Sequence, residues 1–170
     1  MSQHILEIIN PYRKLEEDLM DLLEINKNSK IIFIGEIKPL IRKIGKISDS
    51  IIIVDNSISE LASFKRFKIA SDINQLKEEE LATNVLFCTG TALINNTMEE
   101  VLEKFKRKAQ QIIVIGPTAS MFPDILFDQG VDIVSGMKIL DSDSTIKVLQ
   151  EGGGTKIFKQ YGLKYSLIKE

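Results

Sequence analysis

The chain has 170 residues, a length that fits one domain with a sizeable buried core. Its formal net charge of -2 leaves no basic footprint for nucleic acid, and no apolar stretch approaches the roughly 20 residues that cross a bilayer. The N-terminus has no basic n-region, and one cysteine cannot form an intramolecular disulfide. We therefore expect a cytoplasmic protein that binds neither nucleic acid nor membrane.

The first half of the chain begins with a predicted helix. Leucines at helical spacing predict this helix from about Pro11 to Ile25, within an N-terminal helical extension of residues 1–29. Apolar runs over residues 30–35 and 50–55 predict two buried parallel strands. A short helix that begins near Pro39 separates them.

The middle of the chain continues the alternation. A helical turn at 57–64, a short strand at 66–70 and a helix or helical turn at 71–83 precede the next buried strand, at 84–90. Residues 95–111 form the clearest predicted helix. Thr97 and Glu100 have the spacing of a capping box at its start.

The last third repeats the pattern. We expect strands at 112–116 and 131–136 around a helix at 121–130 that Gly130 ends, then a helix at 141–154 and a terminal edge strand at 163–170. Strands that are apolar throughout and alternate with helices are typical of a parallel sheet covered on both faces. The prediction is a Rossmann-like, three-layer α/β/α domain over residues 30–170, with a mostly parallel sheet of five to seven strands.

Each predicted parallel strand ends at small or polar residues. In open α/β sheets ligands bind beyond the carboxyl ends of the strands, and glycine lets backbone N–H groups approach them. The alternative is that these residues only form tight turns. The strand ends are Gly35, Asp55, Thr89–Gly90–Thr91, Gly116–Pro117–Thr118 and Ser135–Gly136.

Asp55 has the position of the acid that binds a ribose in dinucleotide-binding proteins, 20 residues after Gly35. The first loop, GEIKPL, lacks the second and third glycines of that motif, and Glu36 would repel a pyrophosphate. Classical NAD binding is therefore disfavoured. A turn-forming role is the alternative for Asp55.

Three segments of the C-terminal half carry a resemblance: TGTALINNTMEEVL, IGPTASMFPDILFDQGVDIVSGMKILD and VLQEGGGTKIF. From about Lys30 to Phe158 the chain resembles the putative heavy-metal chelation domain family, a prokaryotic family with a Rossmann-like domain and no settled activity. In that family the domain usually follows an enolase-N-terminus-like domain, and the proposed site lies between the two. The 29 residues before the first strand are too few for that domain, so a site of the kind that the resemblance implies would be incomplete unless another chain supplies the rest.

The resemblance implies ligand-binding roles for thirteen positions. Thr97 is read as a helix cap, and no role is transferred to Glu36 or Lys38. The triple glycine is either an anion-binding nest or flap, or a helix C-cap. The thirteen positions are Gly35, Asp55, Thr89, Gly90, Thr91, Asn95, Gly116, Pro117, Thr118, Gly136, Gly152, Gly153 and Gly154.

Metal ligands are scarce, because the chain has one cysteine and one histidine. We interpret Cys88 as a buried core thiol and His4 as a solvated residue, so a monomer has no protein-only zinc or copper site. Carboxylates such as Asp55 could hold a metal, or the metal could arrive within a chelate. Catalytic residues are unknown. Asp141 is a possible acid near the crevice, and Asp132 is more simply a turn or cap residue.

Three functions remain open. The chain could bind a small ligand, a metal chelate or an anionic cofactor at the strand ends. It could be an enzyme for a nucleotide-like or cofactor-like substrate, with its site completed by a partner subunit. It could also be a non-catalytic remnant that acts through protein contacts. We expect a homodimer with the N-terminal helix at the interface, unless that helix packs on its own sheet; its apolar face is Leu15, Leu19, Leu22 and Leu23.

Overall fold

The computed structural model describes residues 12–15, 18–56, 64, 66–120 and 123–169. Within these residues the chain forms one mixed sheet of eight strands. In chain order the strands are β1 Arg13–Leu15, β2 Ile31–Ile34, β3 Ile51–Val54, β4 Lys68–Ala70, β5 Thr83–Thr89, β6 Ala109–Ile115, β7 Ile133–Ile139 and β8 Gly162–Ile168.

The strand order across the sheet is β1-β8-β7-β6-β5-β2-β3-β4. The six strands from β7 to β4 pair in parallel, whereas β8 is antiparallel to β7 and β1 is antiparallel to β8. From β2 the chain runs outward to β3 and β4, then returns to the other side of β2 as β5. The sheet therefore has a topological switch point between β2 and β5, where α/β folds commonly bind ligands.

The helices are short, and 3-10 turns supplement them at Leu19–Leu22, Ile73–Gln75, Pro117–Ala119 and Lys159–Tyr161. No described helix is long and apolar enough to cross a membrane. The α-helices are α1 Lys38–Ile44, α2 Glu78–Leu81, α3 Thr91–Ile94, α4 Met98–Phe105, α5 Asp124–Asp128, α6 Ser142–Gln150 and α7 Thr155–Phe158.

Two apolar clusters lie on opposite faces of the sheet. Successive side chains of a strand point to opposite faces, so Ile32 and Ile34 join one cluster and Ile31 and Phe33 join the other. The first cluster includes the apolar face of α4, and the second includes that of α1. Burial on both faces explains why the central strands are apolar throughout.

The N-terminal segment differs from its prediction. Instead of one helix from Pro11 to Ile25, it contains β1 and the 3-10 helix Leu19–Leu22. Leu19 and Leu23 are buried in the core of their own chain, so the leucine face is not an exposed helix surface. Cross-strand backbone bonding to β8, about 150 residues away in the chain, prevails over the local helical pattern.

Three other predictions require correction. The sheet has eight described strands rather than five to seven, because β1 was missed. Strand β7 continues to Ile139, so Gly136 does not end it. Thr97 makes no capping bond from its side chain, and the Glu100 carboxylate instead accepts a hydrogen bond from Asn74 at 2.9 Å. By contrast, Gly130 ends α5 as predicted, with φ of 96°.

Some predictions concern residues outside the described part of the chain. They are His4, the helix start at Pro11 and most of the helical turn at 57–64.

Candidate functional site

The loops after β2 and β5 touch at the switch point. Gly35 follows β2 with φ of +90°, a conformation that L side chains rarely adopt. A Cβ atom built on Gly35 would lie 2.3 Å from Cγ2 of Thr89, the last residue of β5. Only a glycine therefore allows these two loops to come so close.

The loop after β6 joins them from the other side. A Cβ atom on Gly90 would lie 2.4 Å from Oγ1 of Thr118 and 2.7 Å from the backbone nitrogen of Ala119. Gly116, with φ of 130°, turns the chain from β6 into the 3-10 helix that carries Pro117 and Thr118. The strand ends of β2, β5 and β6 thus meet at one edge, as the sequence predicted.

The backbone N–H groups of three strand-end glycines are hydrogen-bonded within the sheet. Those of Gly35, Gly90 and Gly116 donate to Val54, Ile115 and Ser135 in the neighbouring strands, at 2.8, 2.9 and 3.0 Å. These bonds continue the sheet ladder beyond the strand ends. The glycines therefore permit close packing, and side-chain oxygens contribute the polar groups at this edge.

Three hydroxyl groups lie along the edge. Oγ1 of Thr89 is 3.3 Å from Oγ1 of Thr91, the first residue of α3. Thr91 and Thr118 are both exposed, so their hydroxyls can contact a ligand without rearrangement. Asn95 ends α3 and is also exposed, with its backbone N–H donating to the carbonyl of Thr91 at 3.1 Å.

Asp55 links the loops after β2 and β3. Its Oδ2 atom accepts a hydrogen bond from the backbone N–H of Glu36 at 2.8 Å. The carboxylate therefore has a structural function in holding the first loop against the third strand. A ribose-binding role like that in dinucleotide-binding proteins would compete with this bond.

Glu36 is the residue that the sequence analysis missed. Its side chain is 11% exposed, and Oε2 lies 3.1 Å from Nζ of Lys38. Oε1 is buried and has no hydrogen-bond partner within the described part of the chain. The sequence signal was an acid directly after the strand-end glycine, but its burial depends on packing that no local pattern reveals.

Gly136 has a packing role that its sequence context did not indicate. It lies within β7 opposite Tyr165 of β8, and an added Cβ atom would be 2.8 Å from Oγ of Ser120 and 2.9 Å from the Tyr165 hydroxyl. Ser120 in turn bonds to both the N–H and the carbonyl of Met137, at 2.9 and 3.1 Å. These contacts fix the loop after β6 against β7.

The triple glycine forms a helix C-cap, one of its two interpretations. Gly152 has φ of +78°, and its N–H donates to the carbonyl of Leu149. The N–H of Gly153 donates to the carbonyl of Val148 at 2.8 Å. This pair of bonds is the Schellman motif that ends α6. Gly154 precedes α7, and an added Cβ atom there would meet open space.

Asp132 and Asp141, the two possible acids of the sequence analysis, have structural partners. Asp132 accepts a hydrogen bond from the N–H of Ile112 at 2.7 Å. Asp141 caps α6 by accepting from the N–H of Ser144 at 3.0 Å, and its hydrogen bonds with Ser144 lower the pKa of Asp141. Neither arrangement indicates a catalytic acid.

The described residues do not form a metal centre. They contain no group of three or more His, Cys, Asp or Glu side chains that could hold an ion. Cys88 is fully buried, and burial raises the pKa of its thiol to about 12. A protonated thiol is a poor metal ligand, so Cys88 is the core thiol that the sequence predicted.

A cavity of about 250 Å³ opens at the opposite edge of the sheet, near the amino ends of β2 and β3. Lys30, Ser50, Glu79 and Glu80 contribute its polar lining. Glu80 is already bound by Lys68, with both carboxylate oxygens within 2.6 Å of Nζ. This cavity was not predicted, and its principal acid has a structural partner.

Comparison with known proteins places the chain in a family. Residues 18–168 match DUF364, described as putative heavy-metal chelation. An uncharacterized protein of Methanocaldococcus jannaschii is 28% identical over 138 residues, which are 81% of this chain and 51% of that protein. The chain thus spans about half the length of this relative.

Two solved structures share the fold. A DUF364 protein of unknown function from Pyrococcus horikoshii superimposes with a TM-score of 0.74 at 18% identity, covering 95% of this chain and 61% of that one. A second, from Desulfitobacterium hafniense, has a TM-score of 0.70 at 18% identity and covers 98% and 62%. The matched residues include every strand except β1, and the chain therefore belongs to the DUF364 family, described as putative heavy-metal chelation.

Proposed function

We propose that the protein binds a small molecule, such as a metal chelate or a cofactor-like compound, in the crevice at the switch point between β2 and β5. The observation that carries this proposal is the contact of Gly35 with Thr89. It joins the strand-end loops on the two sides of the switch point. In a Rossmann-like, three-layer arrangement this is the position where ligands bind.

A chelate agrees better with these residues than a bare heavy-metal ion does. Soft and borderline metals prefer thiolate and imidazole ligands, and Cys88 is buried and protonated. A metal that enters already coordinated requires only contacts to its organic shell. The hydroxyls of Thr91 and Thr118 suit such contacts, since both residues are exposed at the edge.

Residues from outside this chain would complete the crevice in our proposal. The solved relatives have about two fifths of their length outside the matched region, since the chain covers 61% and 62% of them. In the enzymatic alternative, a partner subunit supplies these residues.

The test is a search for co-purified molecules. Protein purified under mild conditions would be denatured, and the released small molecules identified by mass spectrometry. We expect a stoichiometric compound from the wild-type chain, and at least a tenfold lower yield from a variant with Thr91→Val and Thr118→Val, since each lost hydrogen bond weakens binding by about 1 kcal/mol.

The control is Ser142→Ala, which removes an exposed hydroxyl at the start of α6. Its yield should equal that of the wild type. If the threonine variant keeps a full complement of ligand with an unchanged fold, the crevice is not the binding site.

A further inference from the structure

Four backbone N–H groups of the crevice are already hydrogen-bonded within the chain. The N–H groups of Gly35, Gly90 and Gly116 are bound to neighbouring strands, and that of Glu36 is bound to Asp55. A phosphate needs donors, which helix N-termini and glycine loops normally provide. The side chains at this edge include threonine hydroxyls, the Asn95 amide, Lys38 and two carboxylates, and the carboxylates suit a positive charge.

Glu36 is the most informative of these groups. Its buried Oε1 atom has no partner within the described residues, whereas Oε2 is bound to Lys38. A buried carboxylate oxygen without a hydrogen bond destabilises the folded chain, and a bound cation is one arrangement that would satisfy it. The Asp55 carboxylate on the neighbouring loop accepts a hydrogen bond from the Glu36 backbone N–H, so two acidic residues meet at this side of the crevice.

We propose that Glu36 binds a positively charged group of the ligand through Oε1. This inference rests on the proposed function, and it specifies the charge of the ligand at the β2 side of the crevice. The cation could be a protonated amine or the metal of a chelate, and both present positive charge to the same oxygen. The threonine hydroxyls of β5 and β6 would then contact the uncharged part of the ligand.

The experiment follows the backbone amide signals of Glu36, Thr89 and Thr91 by NMR during titration with n-butylammonium chloride. Potassium chloride controls for ionic strength, n-butanol for the alkyl chain, and sodium phosphate for anion binding. A separate titration with manganese(II) chloride tests a metal ion. We expect one of the two cations to perturb these amides, and the three controls to leave them unchanged.

Two variants of the site should act in opposite directions. Glu36→Gln should weaken binding of the cation that perturbs the amides by about tenfold to a hundredfold, as expected for loss of a charge-assisted bond. Lys38→Met should strengthen binding, because it removes the positive charge that competes at the same carboxylate. Glu103→Gln, an exposed acid on α4, is the matched control and should change nothing.

The outcomes separate this inference from the proposed function. Perturbation by butylammonium or by manganese that depends on Glu36 supports it and identifies the source of charge. It is overturned if phosphate alone perturbs the amides, if neither cation does, or if Glu36→Gln binds the cation as well as the wild type. If Glu36→Gln retains a co-purified ligand that the threonine variant loses, this inference fails and the proposed function stands. If Glu36→Gln folds poorly, Lys38→Met decides. Stronger cation binding by this variant supports the inference, and unchanged or weaker binding overturns it.

Discussion

Gly35 and Thr89 face each other across the switch point, and a single added methyl group would place two carbon atoms 2.3 Å apart. The glycine allows the left-handed turn after β2, and its missing side chain allows the loop after β5 to approach. One residue therefore meets a backbone requirement and a packing requirement together. The first prediction separates these two requirements.

Gly35→Ala should destabilise the protein by about 2–4 kcal/mol, because a left-handed alanine and a steric overlap each cost about 1–2 kcal/mol. Gly152→Ala is the matched control, with φ of +78° and no atom within 4 Å of an added Cβ. Gly152→Ala should lose only the stability that the left-handed backbone conformation costs, because no steric overlap arises. Thr89→Ser, which removes Cγ2, should partly rescue Gly35→Ala in urea unfolding. Equal losses at both glycines would refute the steric contact.

Gly136→Ala tests packing without backbone strain. The added Cβ atom would overlap Ser120 and Tyr165, so we expect a loss of about 1–3 kcal/mol. Gly154→Ala, where the added atom meets open space, should be nearly neutral. Thermal unfolding of both variants measures the difference. If Gly136→Ala leaves thermal unfolding unchanged, these contacts do not fix the loop after β6.

Burial of Cys88 predicts a dependence of stability on pH. The folded pKa is raised to about 12 from an ordinary value of 9.0, so the unfolded thiol ionises first. The stabilisation is fully present below pH 9 and is lost as the pH rises toward 12. The free energy of unfolding of the wild type should fall by up to about 1.4 kcal/mol per pH unit more than that of Cys88→Ala over this range.

Chemical modification gives a second measurement of the same thiol. A thiol-specific reagent at pH 8 should label the native chain far more slowly than the denatured chain, since the thiolate is the reactive form. Rapid labelling of the native chain, or equal pH slopes for wild type and Cys88→Ala, would contradict burial.

Assembly through the C-terminal segment is a further prediction. Apolar side chains there are about half exposed, and large apolar patches commonly mark interfaces. We expect light scattering to report about twice 19.2 kDa. The double variant Ile146→Asp and Leu149→Asp should be monomeric, whereas Ile47→Asp should not. A monomeric wild type at high micromolar concentration would rule this out. The exposed residues are Leu140, Ile146, Leu149, Ile157 and Leu163.

Much of the fold was predictable because strands buried on both faces consist of apolar residues throughout. Strands such as β2 and β3 have both faces covered, so every residue is apolar and the run is conspicuous. Strand β1 has the sequence RKL and owes its conformation to backbone pairing with β8. Its neighbour LEEDLMDLL has helical periodicity, but Leu19 and Leu23 reach the core from a short 3-10 helix and the extended residue after it.

The convergence of the strand ends was predictable, but the hydrogen bonding at that edge was not. Strand-end glycines indicated the edge where β2, β5 and β6 converge. The sequence could not show that their N–H groups bond to neighbouring strands, because that depends on strand order. Nor could it show that Glu36 is buried, or that Gly136 packs against Ser120 and Tyr165 from distant segments.

The most direct test of the central claim is a crystal structure of the protein with the molecule that co-purifies with it. Our account predicts electron density beside Gly35, Thr91 and Thr118, with a positively charged group near Oε1 of Glu36. Density in the cavity at the amino ends of β2 and β3, beside Lys30 and Ser50, would contradict it. The ligand would then bind at the edge opposite the switch point.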